Sequence, residues 1–172
     1  MSRFLEVISG LENKLGPILI QFPLSFKYPA GEKMLQDVMD ALPGGYGFAV
    51  EFRHPSWFNE VTFRELRSRK IVPAWSDTLL VQPQTNLTAR NIYLRLVGDR
   101  SIKESEFGRV SKDRAAQIQA WADHIKERLD EVQDFVVFIN NHFQGFSPAT
   151  ANAFRSALGI PTLSWDVSQA DA

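Results

Sequence analysis

Cysteine is absent from all 172 residues, which excludes disulfide staples, thiolate metal sites and cysteine nucleophiles. A reducing compartment fits that absence, and a cytoplasmic location is the expectation. No apolar run approaches the roughly 18 residues that a membrane-spanning helix needs. The chain does not open on a basic stretch followed by an apolar core and a small-residue cleavage site, so no membrane partner is expected. Charge of one sign is also scarce: the net charge is −1, which gives no global attraction to nucleic acid or acidic lipid. Arg90 to Arg114 carry seven Lys or Arg against four Asp or Glu, a mild excess that reads as a solvated loop face. The composition that remains, 44% hydrophobic, is that of a globular protein able to bury a core, and the length fits one domain over residues 1–172.

The stretch Phe48 to Trp57, FAVEFRHPSW, organises the chain. Strand side chains alternate with period two, so Phe48, Val50 and Phe52 fall on one face and Ala49, Glu51 and Arg53 on the other. Glu and Arg on a strand this apolar must sit where charge is paired or wetted, because an unpaired buried charge is very costly. That condition is met at the open end of a sheet. Around this strand, helices and strands alternate. Arg3 to Leu15 predicts a helix, Ile18 to Phe22 a strand, and Met34 to Leu42 a helix stopped by Pro43, Gly44 and Gly45. Asn59 caps a third helix, with Phe58 and Phe63 spaced as a hydrophobic staple. Ile71 to Asp77 and Asn91 to Val97 are strands separated by a polar loop. Ser111 caps a long helix running to Val132, Phe135 to Ile139 is the last strand, and Ser147 with Pro148 starts a final helix that Gly159 ends. Pro161 to Ala172 has little pattern, and its end is expected to fray.

Five strands alternating with helices make an α/β protein with a parallel sheet. A doubly wound sheet fits the length, whereas a (β/α)8 barrel typically needs about 250 residues. The parity of the polar positions argues for the barrel. Glu51 with Arg53, and Tyr93 with Arg95, would lie under helices in a doubly wound sheet but face the lumen of a barrel. Gln21, Glu51, Asp77, Arg95 and Asn140 would then meet at one mouth.

The runs LGPILIQFP, VEFRHPSW, a strand ending in SD, YLRL followed by glycine, and an apolar strand ending in INN together resemble the YecE-like family, domain of unknown function 72. EFRHPSW is the specific part, and the match runs from about Leu11 to Pro161. The resemblance implies a TIM-barrel-type fold with a pocket at the polar strand ends, and no established activity. Two departures follow from it. The family's first three strands have no counterpart, which makes the expected fold a partial TIM-type barrel of five parallel strands. Val97 also stands where many members have histidine.

Glu51 is the leading acid or base, being the only carboxylate inside an apolar strand, with Asp77 as its catalytic companion; a structural ion pair is the competing reading of Glu51. Arg53 and Arg95 offer forked donors for a carboxylate or phosphate, or simply hold Glu51. His54, Gln21 and the amides of Asn140 and Asn141 complete a ligand-binding set, and Trp57, Trp75 or Tyr93 could supply a stacking wall or be core. Glu51, His54, Asp77 and His142 could hold a metal, but no recognisable ligand spacing joins them, so no metal site is assigned and no cofactor is named. The resulting expectation is acid/base chemistry on a small anionic or sugar-like ligand. The alternatives are a metal-dependent phosphodiester hydrolase acting on nucleic acid, and a truncated, non-enzymatic binding domain. Self-association through the exposed edges of an unclosed sheet is the expected assembly.

Overall fold

The computed structural model of the protein describes residues 2–164. Its elements follow in the order α1 (Ser2–Ser9), β1 (Ile18–Gln21), α2 (Glu32–Asp40), β2 (Phe48–Glu51), α3 (Glu60–Ser68), β3 (Val72–Thr78), β4 (Asn91–Gly98), α4 (Ala115–Lys126), β5 (Asp134–Ile139), α5 (Asn141–Gln144) and α6 (Ser147–Leu158). The five strands form one open, parallel sheet in the order β1-β2-β3-β4-β5. Because each strand adds beside its predecessor, the order never reverses. Among the described residues, the switch point that defines a doubly wound sheet is therefore absent. No helix among the described residues is long and apolar enough to cross a membrane.

The sheet has one helical face and one concave face. Phe48 and Val50 of β2 pack with Leu35 and Met39 of α2 and with Phe63 and Leu66 of α3. Trp75, Ile92, Leu94 and Leu96 pack with Ile118, Trp121 and Ile125 of α4 and Phe154 of α6. The alternate residues, Ala49, Val72, Ala74 and Tyr93, form a separate cluster on the other face. A side-chain contact spans that face: at about 4.8 Å per strand, β1 and β4 would stand roughly 14 Å apart in a flat sheet, and Arg95 Nη1 of β4 donates to Gln21 Oε1 of β1 at 3.1 Å. Curling of the sheet toward this side shortens that reach, and it accords with the burial of Ala49, Val72, Ala74 and Tyr93 on the face away from the helices.

β3 and β4 are joined without a helix. Residues 79–90 cross the helical face as a loop, with Leu87 against the α4 cluster, Asn86 O accepting from Trp75 Nε1 at 3.1 Å, and Thr88 Oγ1 donating to Ile71 O. At the far end of this pair the ladder slips: Asp77 is opposite Leu96, but Thr78 is opposite Gly98. Val97 is the extra residue of a β-bulge.

Several local expectations are corrected. The first helix stops at Ser9, short of Leu15, because Gly10 breaks it and Glu12 turns the chain with φ 48° before a 3-10 turn over Glu12–Lys14. Ser111 does not cap α4. Its backbone N–H is held by Gln144 O at 2.8 Å, and Asp113 Oδ1 accepts from Ala115 N instead, so the helix spans only Ala115–Lys126. Phe146, not Ser147, is the N-cap of α6. The asparagine-asparagine-histidine segment begins α5, where Asn140 Oδ1 caps the His142 N–H at 2.9 Å. Asn59 caps α3 as expected, through Thr62 N at 3.0 Å. Of the tail expected to be frayed, residues 165–172 lie outside the described residues.

The HPSW segment pins the loop after β1. The Trp57 ring is stacked among Phe26 and Phe52, with centroids 4.7 and 5.0 Å away, and Phe22 stacks on Phe26 at 4.2 Å. Its Nε1 donates to Phe26 O at 2.7 Å. Truncating Trp57 removes a large buried ring and leaves a cavity, so Trp57→Ala is expected to cost about 3–5 kcal/mol. Trp57→Phe, which mainly strands the Phe26 carbonyl, should cost about 1–3 kcal/mol; urea unfolding midpoints measure both.

Candidate functional site

The carboxyl ends of β1 to β4 meet around one buried carboxylate. Glu51 is 3% exposed, and a charge taken that far from water needs partners. Arg95 Nη1 pairs with its Oε2, and Arg53 Nε stands 3.5 Å from its Oε1. Gln21 Oε1 takes the other proton of Arg95 Nη1. Both oxygens of Glu51 are thus committed to guanidinium groups.

Two polar atoms here are buried without an acceptor or donor. Arg53 Nε lacks a hydrogen bond, its distance to Glu51 being too long for one. Ser76 Oγ has no partner either, and Ser76 lies opposite Arg95 across the β3–β4 ladder. Buried polar groups normally find partners. Beside them a cleft of about 360 Å³ is lined by Glu51, Arg53, Thr78 to Leu80, and Val97 to Arg100.

The far wall of the cleft is a charge network. Asp99 accepts from Lys112 Nζ at 2.7 Å and Arg114 Nη2 at 3.1 Å, and from the backbone N–H of Ser101 at 3.0 Å. The hydrogen bonds from Lys112 and Ser101 hold its carboxyl well below the usual carboxylate range. The charged residues lining the cleft are Arg53, Arg100, Glu51 and Asp99, and Arg95, Lys112 and Arg114 reach the two carboxylates from outside that lining. Counting those partners, the two carboxylates are outnumbered by the cations gathered on them.

The remaining expected site residues divide sharply. Tyr93 joins the concave face, where burial raises its phenol pKa against the opposing pull of the Arg95 charge, so the hydroxyl keeps its proton. Asp77 is placed on the opposite side of the sheet, where its Oδ2 accepts from Trp121 Nε1 at 2.8 Å. Trp75 is on that side too, packed near Trp121. His54 Nδ1 accepts from Ser56 N at 3.2 Å as the cap of a 3-10 turn, and Ser56 Oγ accepts from Tyr28 N. Trp57, 1% exposed, has no open ring face for a ligand. Asn140 and Asn141 cap α5 and the start of α6, the latter through Ser147 N at 2.8 Å. His142 is turned to Ile102 O at 3.0 Å. Glu51, His54, Asp77 and His142 are therefore not gathered, and no group of three or more His, Asp or Glu able to hold a metal occurs among the described residues. Asp99 and Ser76 were not singled out by sequence; a polar residue ending an apolar strand beside a glycine was the available signal for Asp99.

A family model described as "Protein of unknown function DUF72" matches residues 1–171. The chain belongs to the DUF72 family. Its fold is shared with a DUF72 family protein from Thermotoga maritima, 26% identical, with a TM-score of 0.77 over 92% of this chain and 64% of that one. Two structures of a DUF72 family protein from Enterococcus faecalis V583 are similar, at 18% and 19% identity and TM-scores of 0.77 and 0.72, covering 93% and 96% of this chain. This DUF72 chain spans about 64% of the length of the Thermotoga protein it matches. No curated protein matches it.

Two expectations test the electrostatics of this DUF72 site. Arg95→Met leaves Glu51 buried without its closest counter-charge and should cost about 3–5 kcal/mol. Removing both charges in Glu51→Gln/Arg95→Met should restore most of that loss, and a double-mutant cycle by chemical denaturation measures the coupling. Asp99 has a folded pKa below its ordinary value of 3.8. Its contribution is therefore fully present above the unfolded pKa and is lost as pH falls from about 4 toward the lower folded pKa. The stability gap between wild type and Asp99→Asn should be constant above about pH 5 and close progressively below pH 4, as followed by urea titrations at each pH.

Proposed function

We propose that the strand-end cleft binds a small anionic ligand, with Arg53 and Arg95 as its donors and Glu51 as the group that positions them. The observation that carries this reading is the pairing of two guanidinium groups with one carboxylate at a place where Arg53 Nε and Ser76 Oγ are buried without a hydrogen bond. An anion in the cleft would supply the missing acceptor and offset the positive field. Glu51 is poorly suited to proton transfer, because each of its oxygens faces a permanently charged arginine. It acts here as a positioning residue, and the chemistry it supports is recognition of negative charge.

The sequential strand order and the concavity support reading the sheet as an arc of a (β/α) barrel. In such barrels the carboxyl ends of the strands carry the ligand site, which is where this cleft lies.

Titration calorimetry with acetate and with inorganic phosphate, at low ionic strength, tests the proposal. Binding of at least one anion is expected, weakening as sodium chloride is added. Arg53→Gln should reduce its affinity by about tenfold or more, the loss of one charge-assisted hydrogen bond. Arg95 stays on Glu51 in this variant, and circular dichroism checks that it remains folded at the temperature of the titration. Unchanged affinity in Arg53→Gln, or no anion bound by wild type, overturns the reading.

A further inference from the structure

The chain is anchored on both sides of Arg100. Gly98, with φ 79°, lies so close to the start of α5 that a Cβ there would stand 2.3 Å from His142 O. Asp99 is held by Lys112 and Arg114 and accepts from both the N–H and the hydroxyl of Ser101. Between these anchors Arg100 has φ 57°, a left-handed conformation that costs free energy in a residue with a Cβ and persists only where its surroundings impose it. The turn brings Arg100 onto the lining of the strand-end cleft, together with Arg53 and Thr78. That cleft lies over the ends of β2, β3 and β4, in the middle of the sheet and away from both open edges.

The charges on that lining do not cancel once their partners are counted. Glu51 is neutralised by Arg95, and Asp99 by Lys112 and Arg114, all three from outside the lining. Arg53 has only the 3.5 Å approach of its Nε to Glu51, and its Nη groups make no hydrogen bond among the described residues. Arg100 makes neither an ion pair nor a side-chain hydrogen bond there. Two guanidinium charges are thus left to one cleft. Thr78 adds a neutral donor: its Oγ1 accepts from Leu80 N at 3.2 Å, and its own proton has no acceptor among the described residues. Leu79, Leu80 and Val97 supply the apolar part of the same lining.

We propose that the cleft takes the dianion of a small phosphate monoester, with Arg100 as the residue that selects it over singly charged ligands. The proposal rests on the anion-binding reading and adds the class of molecule that carries the charge. Two negative charges match the two uncompensated arginines, whereas a monocarboxylate or a phosphodiester leaves one of them unmatched. Three terminal oxygens match Arg53, Arg100 and the Thr78 hydroxyl. The fourth, bridging oxygen carries the organic part toward Leu79, Leu80 and Val97. A volume of about 360 Å³ is that of a small-molecule site, and the anchored turn sets Arg100 before ligand arrives, which spares affinity the cost of ordering it.

Calorimetry on the full chain at low ionic strength, with methyl phosphate, dimethyl phosphate and acetate, tests it. Methyl phosphate should bind at least about tenfold tighter than either monoanion, the gain expected from a second charge-assisted contact. Because a phosphate monoester loses its second proton near pH 6, its affinity should fall about fourfold between about pH 7.5 and 5.5. Acetate, charged across that range, controls for titration of the protein. Arg100→Asn removes the charge and suits a left-handed backbone, and it should erase most of the preference for methyl phosphate over acetate. Arg109→Gln removes an exposed arginine of the same β4–α4 connection that lies outside the lining, and it should leave the preference intact. Circular dichroism confirms that each variant is folded. If acetate or dimethyl phosphate binds as tightly as methyl phosphate, if the preference survives Arg100→Asn, or if Arg109→Gln lowers it equally, the dianion proposal is overturned while the anion site stands. If none of the three binds, both readings fall.

Discussion

A carboxylate withdrawn from water dictates the arrangement around it. Glu51 is almost fully buried on the concave face, and in a medium of low polarity that charge is tolerable only with close, well-oriented counter-charges. Arg95 must reach it from two strands away and Arg53 from two residues along. Curvature eases the first requirement, since it draws β1, β2 and β4 toward the one guanidinium that joins Gln21 and Glu51. The ion pair, the concavity and the convergence of strand ends are thus one constraint seen at three scales. The same constraint creates the excess of positive charge, because neutralising one carboxylate with two arginines leaves one charge over.

How much of this was legible in the sequence depended on whether the information was local. Period-two alternation put Glu51 and Arg53 on a shared face opposite Phe48, Val50 and Phe52, and did the same for Tyr93 and Arg95. Those assignments need only the pleat of a strand, and the Glu51 to Arg95 pairing follows once the strands are parallel. Asp77 shows the limit. The run from Ile71 to Trp75 is apolar at every position, so nothing local marks which face looks toward the helices, and only the pairing with β4 together with Trp121 on α4 resolves it. The same ambiguity affected Trp57 and Asn140. A tryptophan ending a polar motif and an amide ending a strand look alike whether they bind a ligand or fasten a loop, and here the aromatic stack and the helix cap decide.

Other properties depend on the surroundings of a residue. From Phe135 to Ile139 every side chain is apolar, and the exposure of Phe138 follows from β5 having no strand beyond it among the described residues. Ser76 and Asp99 were hidden by their ordinariness. The first matters because its hydroxyl is orphaned by burial, and the second because Lys112 and Arg114 approach from a distant loop. Such properties belong to neighbours rather than to the residue, and they emerge only when the chain is folded.

The bulge at Val97 separates two parts of the molecule that answer to different demands. Up to Asp77 and Leu96 the ladder is regular, and each residue's face is locked by its partner across the strand. Beyond the slip only Thr78 and Gly98 still pair, and with Leu79, Leu80, Val97, Asp99 and Arg100 they become the cleft wall. Loops tolerate insertion and replacement far more readily than paired strands do. A lineage could therefore reshape this wall, lengthening it or exchanging its charges, without moving the parity of Glu51, Ser76 or Arg95 by a single position. Recognition can drift while the foundation that holds the arginines stays in register.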